Sequence, residues 1–222
     1  IGVKPEDMVV VSIMPCTAKK FEAARPEMND SGVQDVDIVL TTRELGSLIK
    51  QAGIDFRSLP DEKMDAPLGI STGAADIFAN TGGVMEAALR TAWAIVTDSK
   101  PFPFPDLYVE PIAGLEGVKT ASVKVDGAVG DWAFLDGAEL KVAVAHGLGN
   151  AQKVIDQIRN GEAEYHFVEV MTCPGGCIGG GGQPRLTTNE VRRKRIEAIY
   201  REDEGRELRQ SHENPAVCAL YE

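Results

Sequence analysis

The apolar, largely β-branched run from Met8 to Met14 stops abruptly at Pro15 and delivers Cys16 into the loop that follows. A run without polar alternation reads as a strand buried on both faces, which belongs in a parallel sheet with helices above and below it. Tyr165 to Val170 repeats the arrangement, because this predicted strand leads directly into Met171-Thr172-Cys173-Pro174-Gly175-Gly176-Cys177. Open α/β folds place their sites beyond the carboxyl ends of strands. The shared placement therefore predicts an α/β fold, a mostly parallel sheet flanked by helices, with the cysteines converging at strand ends.

The remaining elements fit that frame. Asp37 to Thr41 reads as a second strand feeding a helix, with Thr41 as N-cap and Glu44 completing a capping box. Leu45, Leu48, Ile49 and Ala52 form its apolar stripe, and Gly53 is its stop. Thr81-Gly82-Gly83 opens another helix, with Val84, Met85, Ala88, Leu89, Ala92 and Trp93 on one face. Lys100 to Pro111 carries four prolines and predicts a loop or crossover. Val118 to Val125 predicts an antiparallel edge strand, and Glu139 to Ala145 a buried strand ending at His146-Gly147. A helix from Asn150 to Asn160 follows, with Val154, Ile155 and Ile158 inward and Gly161 as its stop. The tail from Asn189 to Gln210 is one or two charged helices, split near Gly205. Its run Arg192-Arg193-Lys194-Arg195 reads as a solvated face.

Composition sets the limits. The chain has 222 residues, 43% hydrophobic and 26% charged, as in an ordinary soluble globular protein of one large or two small domains. A net charge of −11 argues against nucleic acid as a partner. No apolar run approaches the ~20 residues of a membrane span, and no signal peptide is visible. A cytoplasmic setting is expected, with the periplasm left open. The chain opens on Ile1 rather than Met, as an internal or trimmed segment would. Of four cysteines, three lie in motifs, so a disulfide framework is not expected. Cys218 reads as a small buried hydrophobe.

Thiolates among glycines and prolines suit a soft metal. Cys173 and Cys177 are separated by three intervening residues, whereas structural zinc pairs commonly have two between them. Zinc held by three cysteines and a distant ligand stays open, with His146 and His166 as candidates. The glycines after Cys177 remove every Cβ from the approach, so backbone N–H groups can come close to a bulky inorganic group. Three thiolates are one short of the four that an iron–sulfur cluster usually takes. Lys19, three residues after Cys16, can aim its ammonium at an anionic ligand, and Glu22 can hold it by an i, i+3 ion pair. Met14 and Met171, each two residues before a cysteine, are either core filler or polarizable contacts to a metal group.

Met14 to Glu22 and Met171 to Pro184 resemble the second and third signature motifs of the iron-only (FeFe) hydrogenases. Gly82 to Arg90 and Ser211 to Val217 also match that family, and the resemblance runs along nearly the whole chain. It implies that residues 1–222 are a C-terminal segment of the two-lobed catalytic domain carrying the H-cluster, a 4Fe–4S cubane joined to a dinuclear iron site. The resemblance assigns Cys16 and Cys173 to the cubane and Cys177 to the bridge with the dinuclear site. Lys19 then bonds a cyanide, Met14 and Met171 pack around the dinuclear site, and Phe78 walls the pocket. The reaction implied is reversible H2 formation from two protons and two electrons.

The family's first motif, with adjacent cysteines, is absent from this sequence. That implies a partner segment, the N-terminal remainder of the domain, supplying the fourth cubane cysteine and the proton relay. It also implies a segment inactive alone, and a ferredoxin or other redox partner. Thr172, Asp76 and Ala79-Asn80 depart from the usual motif residues. A hydrogenase-like sensor, an iron–sulfur assembly protein without a dinuclear site and a zinc domain are the competing readings.

Overall fold

The computed structural model describes residues 2–100, 102 and 117–222, so most of the proline-rich stretch expected to be a loop lies outside the described residues. The chain divides into two compact units. One comprises Ile1–Gly69 with Gly179–Thr188, and the other Ile70–Ile178 with Asn189–Glu222.

In the first unit, β1 (Val11–Met14) pairs in parallel with β2 (Ile38–Thr41), and α1 (Ala18–Ala23) connects them. The expectation that the whole run from Met8 is buried on both faces does not hold. Val9, Val11 and Ile13 are 74, 47 and 42% exposed. The physical reason is coverage: a two-stranded sheet cannot bury both of its own faces.

α2 (Thr42–Gln51) begins with the expected capping box. The Thr41 hydroxyl accepts from the Glu44 N–H (3.2 Å), and the Glu44 carboxylate accepts from the Thr41 N–H (2.8 Å). Gly53, at φ +69°, stops the helix as its sequence predicts. The apolar stripe is only partly covered, with Leu48 exposed. The Thr41 N–H, then Lys20, whose ammonium lies 2.9 Å away, pull the Glu44 pKa from 4.5 down to about 2. A depressed carboxylate pKa stabilises the fold above the unfolded value and loses that contribution as pH falls through the folded one. Glu44→Gln is therefore expected to melt below the wild type at pH 6 and to converge with it as pH falls from about 4.5 towards 2, read by thermal melts across that range.

The second unit is built on the order β3–β4–β5. β3 (Val118–Lys124) is the antiparallel edge strand expected, and β4 (Glu139–His146) runs parallel to β5 (Phe167–Met171). α5 (Leu148–Arg159) makes the crossover. Alternation along β4 serves two cores. Val142 and Val144 pack with Met85, Leu89 and Trp93, while Ala143 and Ala145 pack with Ala151 and Val154. Fully burying each such valine stabilises the fold by about 1.5–3 kcal/mol. Ile155 and Ile158, expected inward, are exposed because Ala151 and Val154 take the inner positions.

α3 (Gly73–Ile77) and α4 (Gly83–Thr97) follow one another, and α6 (Asn189–Gly205) packs Ile196, Ile199 and Tyr200 against Ala74, Ile77 and Ala87. α7 (Pro215–Tyr221) is capped by Asn214, whose amide also donates to the Ile70 carbonyl (2.9 Å). The buried face of α4 is rotated from the expected one. Ala88 and Ala92 are exposed, while Glu86 and Arg90 are buried. The cause is a buried ionic network. Arg90 donates to Asp203 from both terminal nitrogens (2.8 and 2.9 Å) and pairs with Glu86, which accepts from the Tyr200 hydroxyl (2.7 Å). Burial alone would raise the Asp203 pKa, but hydrogen bonds from Arg90 and Arg209 hold it below the usual carboxylate range.

Candidate metal centre

In the first unit, β1 ends at Met14 and hands the chain through Pro15 to a half-buried Cys16. Thr17 then starts α1, which places Lys19 and Glu22 one turn apart, and their side chains pair at 2.5 Å as the spacing predicts. The glycine run is explained differently from the sequence expectation. The Gly182 N–H donates to the Pro15 carbonyl (2.9 Å), and the Gly182 carbonyl accepts from the Arg43 N–H (3.2 Å). A Cβ on Gly182 would lie 2.9 Å from both the Pro15 carbonyl carbon and the Thr41 Cβ. That glycine is required by backbone packed beside the Cys16 loop.

In the second unit, β5 ends at a half-buried Met171, whose carbonyl accepts from the Gly147 N–H (2.7 Å). The turn from Cys173 to Cys177 is half-buried at both cysteines and closed by the Gly176 N–H donating to the Cys173 carbonyl (3.0 Å). Ala79–Thr81 form its floor: the Thr81 N–H donates to the Gly175 carbonyl (3.1 Å), and the Ile178 N–H to the Ala79 carbonyl (3.0 Å). Gly176 has φ +86°, and a Cβ there would meet the Thr81 nitrogen at 2.6 Å. Phe78, expected to wall a pocket, closes α3 with its side chain about half exposed.

Three residues that hold this turn or the start of α4 beneath it escaped the sequence reading of their roles. His146 Nδ1 accepts from the buried Gly175 N–H (3.0 Å), which leaves the ring proton on Nε2. Arg195, expected on a solvated face, donates to the Ile178 carbonyl (2.7 Å). The buried Glu169 carboxylate accepts from the Gly82 (2.7 Å) and Met85 (2.8 Å) N–H groups, so a β5 side chain caps α4. Burial raises the Glu169 pKa, opposed by those N–H donors. The signal was a lone carboxylate inside an apolar strand. Replacing His146 by Leu leaves the Gly175 N–H buried without its acceptor, a loss of about 1–3 kcal/mol. Chemical denaturation should show that loss, and hydrogen exchange should show residues 173–177 opening first.

Of the two candidate zinc ligands, His146 is tied to the cysteine turn through the Gly175 N–H, whereas His166 is engaged elsewhere. His166 Nδ1 accepts from the Lys141 N–H (3.0 Å) at the β4 edge. Cys218, half-buried, donates to the His212 carbonyl (3.1 Å). Among the described residues no three His, Cys, Asp or Glu side chains form a group able to hold a metal ion. Taken singly, the first unit brings one motif thiol and the second brings two.

The family described as iron only hydrogenase large subunit, C-terminal domain, matches residues 2–181, and iron hydrogenase small subunit matches residues 189–222. The chain belongs to the FeFe hydrogenase family. It is 53% identical, over all of its length and 36% of the relative's, to the NADP-reducing hydrogenase subunit HndD of Solidesulfovibrio fructosivorans. It is 50% identical, over 81% of its length and 40% of the relative's, to the periplasmic Fe hydrogenase large subunit of Nitratidesulfovibrio vulgaris. FeFe hydrogenase HydA1 from Chlamydomonas reinhardtii superposes with a TM-score of 0.77 at 43% identity, covering 99% of this chain and 59% of that one. Protein NAR1 of Arabidopsis thaliana is 31% identical over the whole chain. The chain thus spans well under half the length of these curated hydrogenase relatives.

FeFe hydrogenases carry iron–sulfur clusters and an H-cluster in the full protein, and the donors here fit that group in kind. The three motif cysteines offer soft thiolates, and a lysine ammonium stands three residues from one of them.

Proposed function

We propose that this chain is the C-terminal segment of an FeFe hydrogenase catalytic domain whose full-length form interconverts H2 with two protons and two electrons. The observation that carries the reading is 53% identity along the whole chain to a hydrogenase subunit, with both cysteine motifs present. Cys16 and Cys173 would supply thiolates to the cubane, and Cys177 would supply a further iron-ligating thiolate. When bound, the H-cluster supplies the redox-active iron at which the reaction occurs.

Lys19 presents a charged donor to an anionic ligand of that group, and its ion pair with Glu22 limits where the ammonium can point. Met14, Met171 and Phe78 offer polarizable and apolar contacts that exclude water. The N-terminal remainder of the domain supplies the fourth cubane thiolate and covers the exposed β1 residues. A ferredoxin or another redox partner supplies electrons. By itself, with three thiolates, the segment is inactive.

The whole-chain match to NAR1 supports a second reading, an iron–sulfur assembly protein without the dinuclear site. The higher identity to hydrogenases favours the first. Anaerobic maturation of the full-length protein decides between them. Hydrogen evolution together with infrared bands of iron-bound CO and cyanide is expected; iron–sulfur absorption with neither would overturn the hydrogenase reading.

A further inference from the structure

The floor of the Cys173–Cys177 turn contains a polar side chain that no described residue satisfies. Asn80 is 0% exposed, and neither its Oδ1 nor its Nδ2 has a hydrogen-bond partner among the described residues. The hydroxyl of its neighbour Thr81, also buried, is likewise unpaired. The backbone here is engaged: the Asn80 N–H donates to the Ile77 carbonyl, the Asn80 carbonyl accepts from the Gly83 N–H, and the Thr81 N–H donates to the Gly175 carbonyl. The segment cannot shift to relieve the side chains, because Gly176 lies so close that a Cβ on it would approach the Asn80 carbonyl carbon to 2.8 Å.

An unpaired buried amide is costly, about 1–3 kcal/mol, and an apolar residue of similar shape would avoid that cost. Such a group persists where something outside the protein satisfies it. The turn packed on the Asn80 backbone carries two cysteines four positions apart. Resting on the cluster-binding reading above, we infer that the Asn80 carboxamide is a positioning residue, held to donate from Nδ2 to a sulfur of the cluster bound by Cys173 and Cys177. A donor to sulfur stabilises the more negative, reduced cluster, so Asn80 raises the cluster's reduction potential.

The test uses the full-length protein, first metal-free and then reconstituted anaerobically with ferrous iron and sulfide. Metal-free Asn80→Ala is expected to melt no lower than the wild type, since it loses no protein hydrogen bond. The loaded Asn80→Ala protein is expected to keep its cluster, with a reduction potential more negative than the wild type's and an altered electron paramagnetic resonance signal. Asn80→Ser, which keeps one donor, falls between. Potentials and spectra unchanged in both variants, or a metal-free melt lowered by several degrees, would overturn the assignment. A wild type that assembles no cluster would instead overturn the cluster-binding reading itself.

Discussion

Replacing Asp203 by Ala is expected to unfold the contact between α4 and α6 and to cost about 3–5 kcal/mol, the usual loss when one partner of a buried ion pair is removed. Asp203 is fully buried and accepts from Arg90 twice and from Arg209 (2.6 Å). Truncation leaves the Arg90 guanidinium with Glu86 alone, in a site where burial opposes charge. Tyr200 then loses its packing context as α6 loosens. At this chain length a kilocalorie is roughly 2–4 °C of melting temperature, so a fall on the order of 10 °C is expected in a calorimetric scan. Asp203→Asn, which keeps the shape and one acceptor, should fall less. A melt within a degree or two of the wild type would show that the network is not what joins these helices.

Gly176→Ala is the second large effect, and it strikes the site rather than the core. Gly176 sits at φ +86°, where an L side chain is strained by about 1–2 kcal/mol before any contact is counted. The added Cβ would also lie within 2.9 Å of the Thr81 nitrogen, the Asn80 carbonyl carbon and the Ala79 oxygen. All three are backbone atoms fixed by hydrogen bonds, so rotamer changes cannot make room. The turn must lift from Ala79–Thr81, carrying Cys173 and Cys177 with it. Iron retention in the full-length protein should fall severalfold, with faster hydrogen exchange over residues 173–178 and little change in the β3–β4–β5 sheet. Wild-type iron content in this variant would mean that the turn's position does not govern metal binding.

Much of the fold was legible because it is local. The capping box at Thr41–Glu44, the Gly53 and Gly161 stops and the Lys19–Glu22 pair each depend on residues a few positions apart. The misread α4 face depends on Arg90 and Asp203, 113 positions apart, and the Glu169 cap on residues 87 positions apart. Periodicity treats a Glu and an Arg as outward-facing and cannot see the distant charge that draws both inside. The same blindness put Arg195 on a solvated face and gave His146 no role but that of a candidate zinc ligand. β1 fails for another reason: its apolar run specifies burial on both faces, and the described residues leave much of it uncovered.

The site was legible as chemistry more than as geometry. Both cysteine motifs follow strands as expected, but Gly176 and Gly182 are required by backbone contacts that spacing alone does not reveal. Asn80 was visible only as a departure from a motif, until its burial without partners gave that departure a physical meaning.

Counting iron in three serine variants of the full-length protein tests the central claim most directly. Cys16→Ser, Cys173→Ser and Cys177→Ser should each, singly, strip or destabilise the same cluster, so that iron and sulfide per chain and the 4Fe–4S absorption fall together in all three. A Cys16→Ser protein that keeps the full wild-type iron and an unaltered spectrum, while the other two lose theirs, would show that the first motif does not share a cluster with the third.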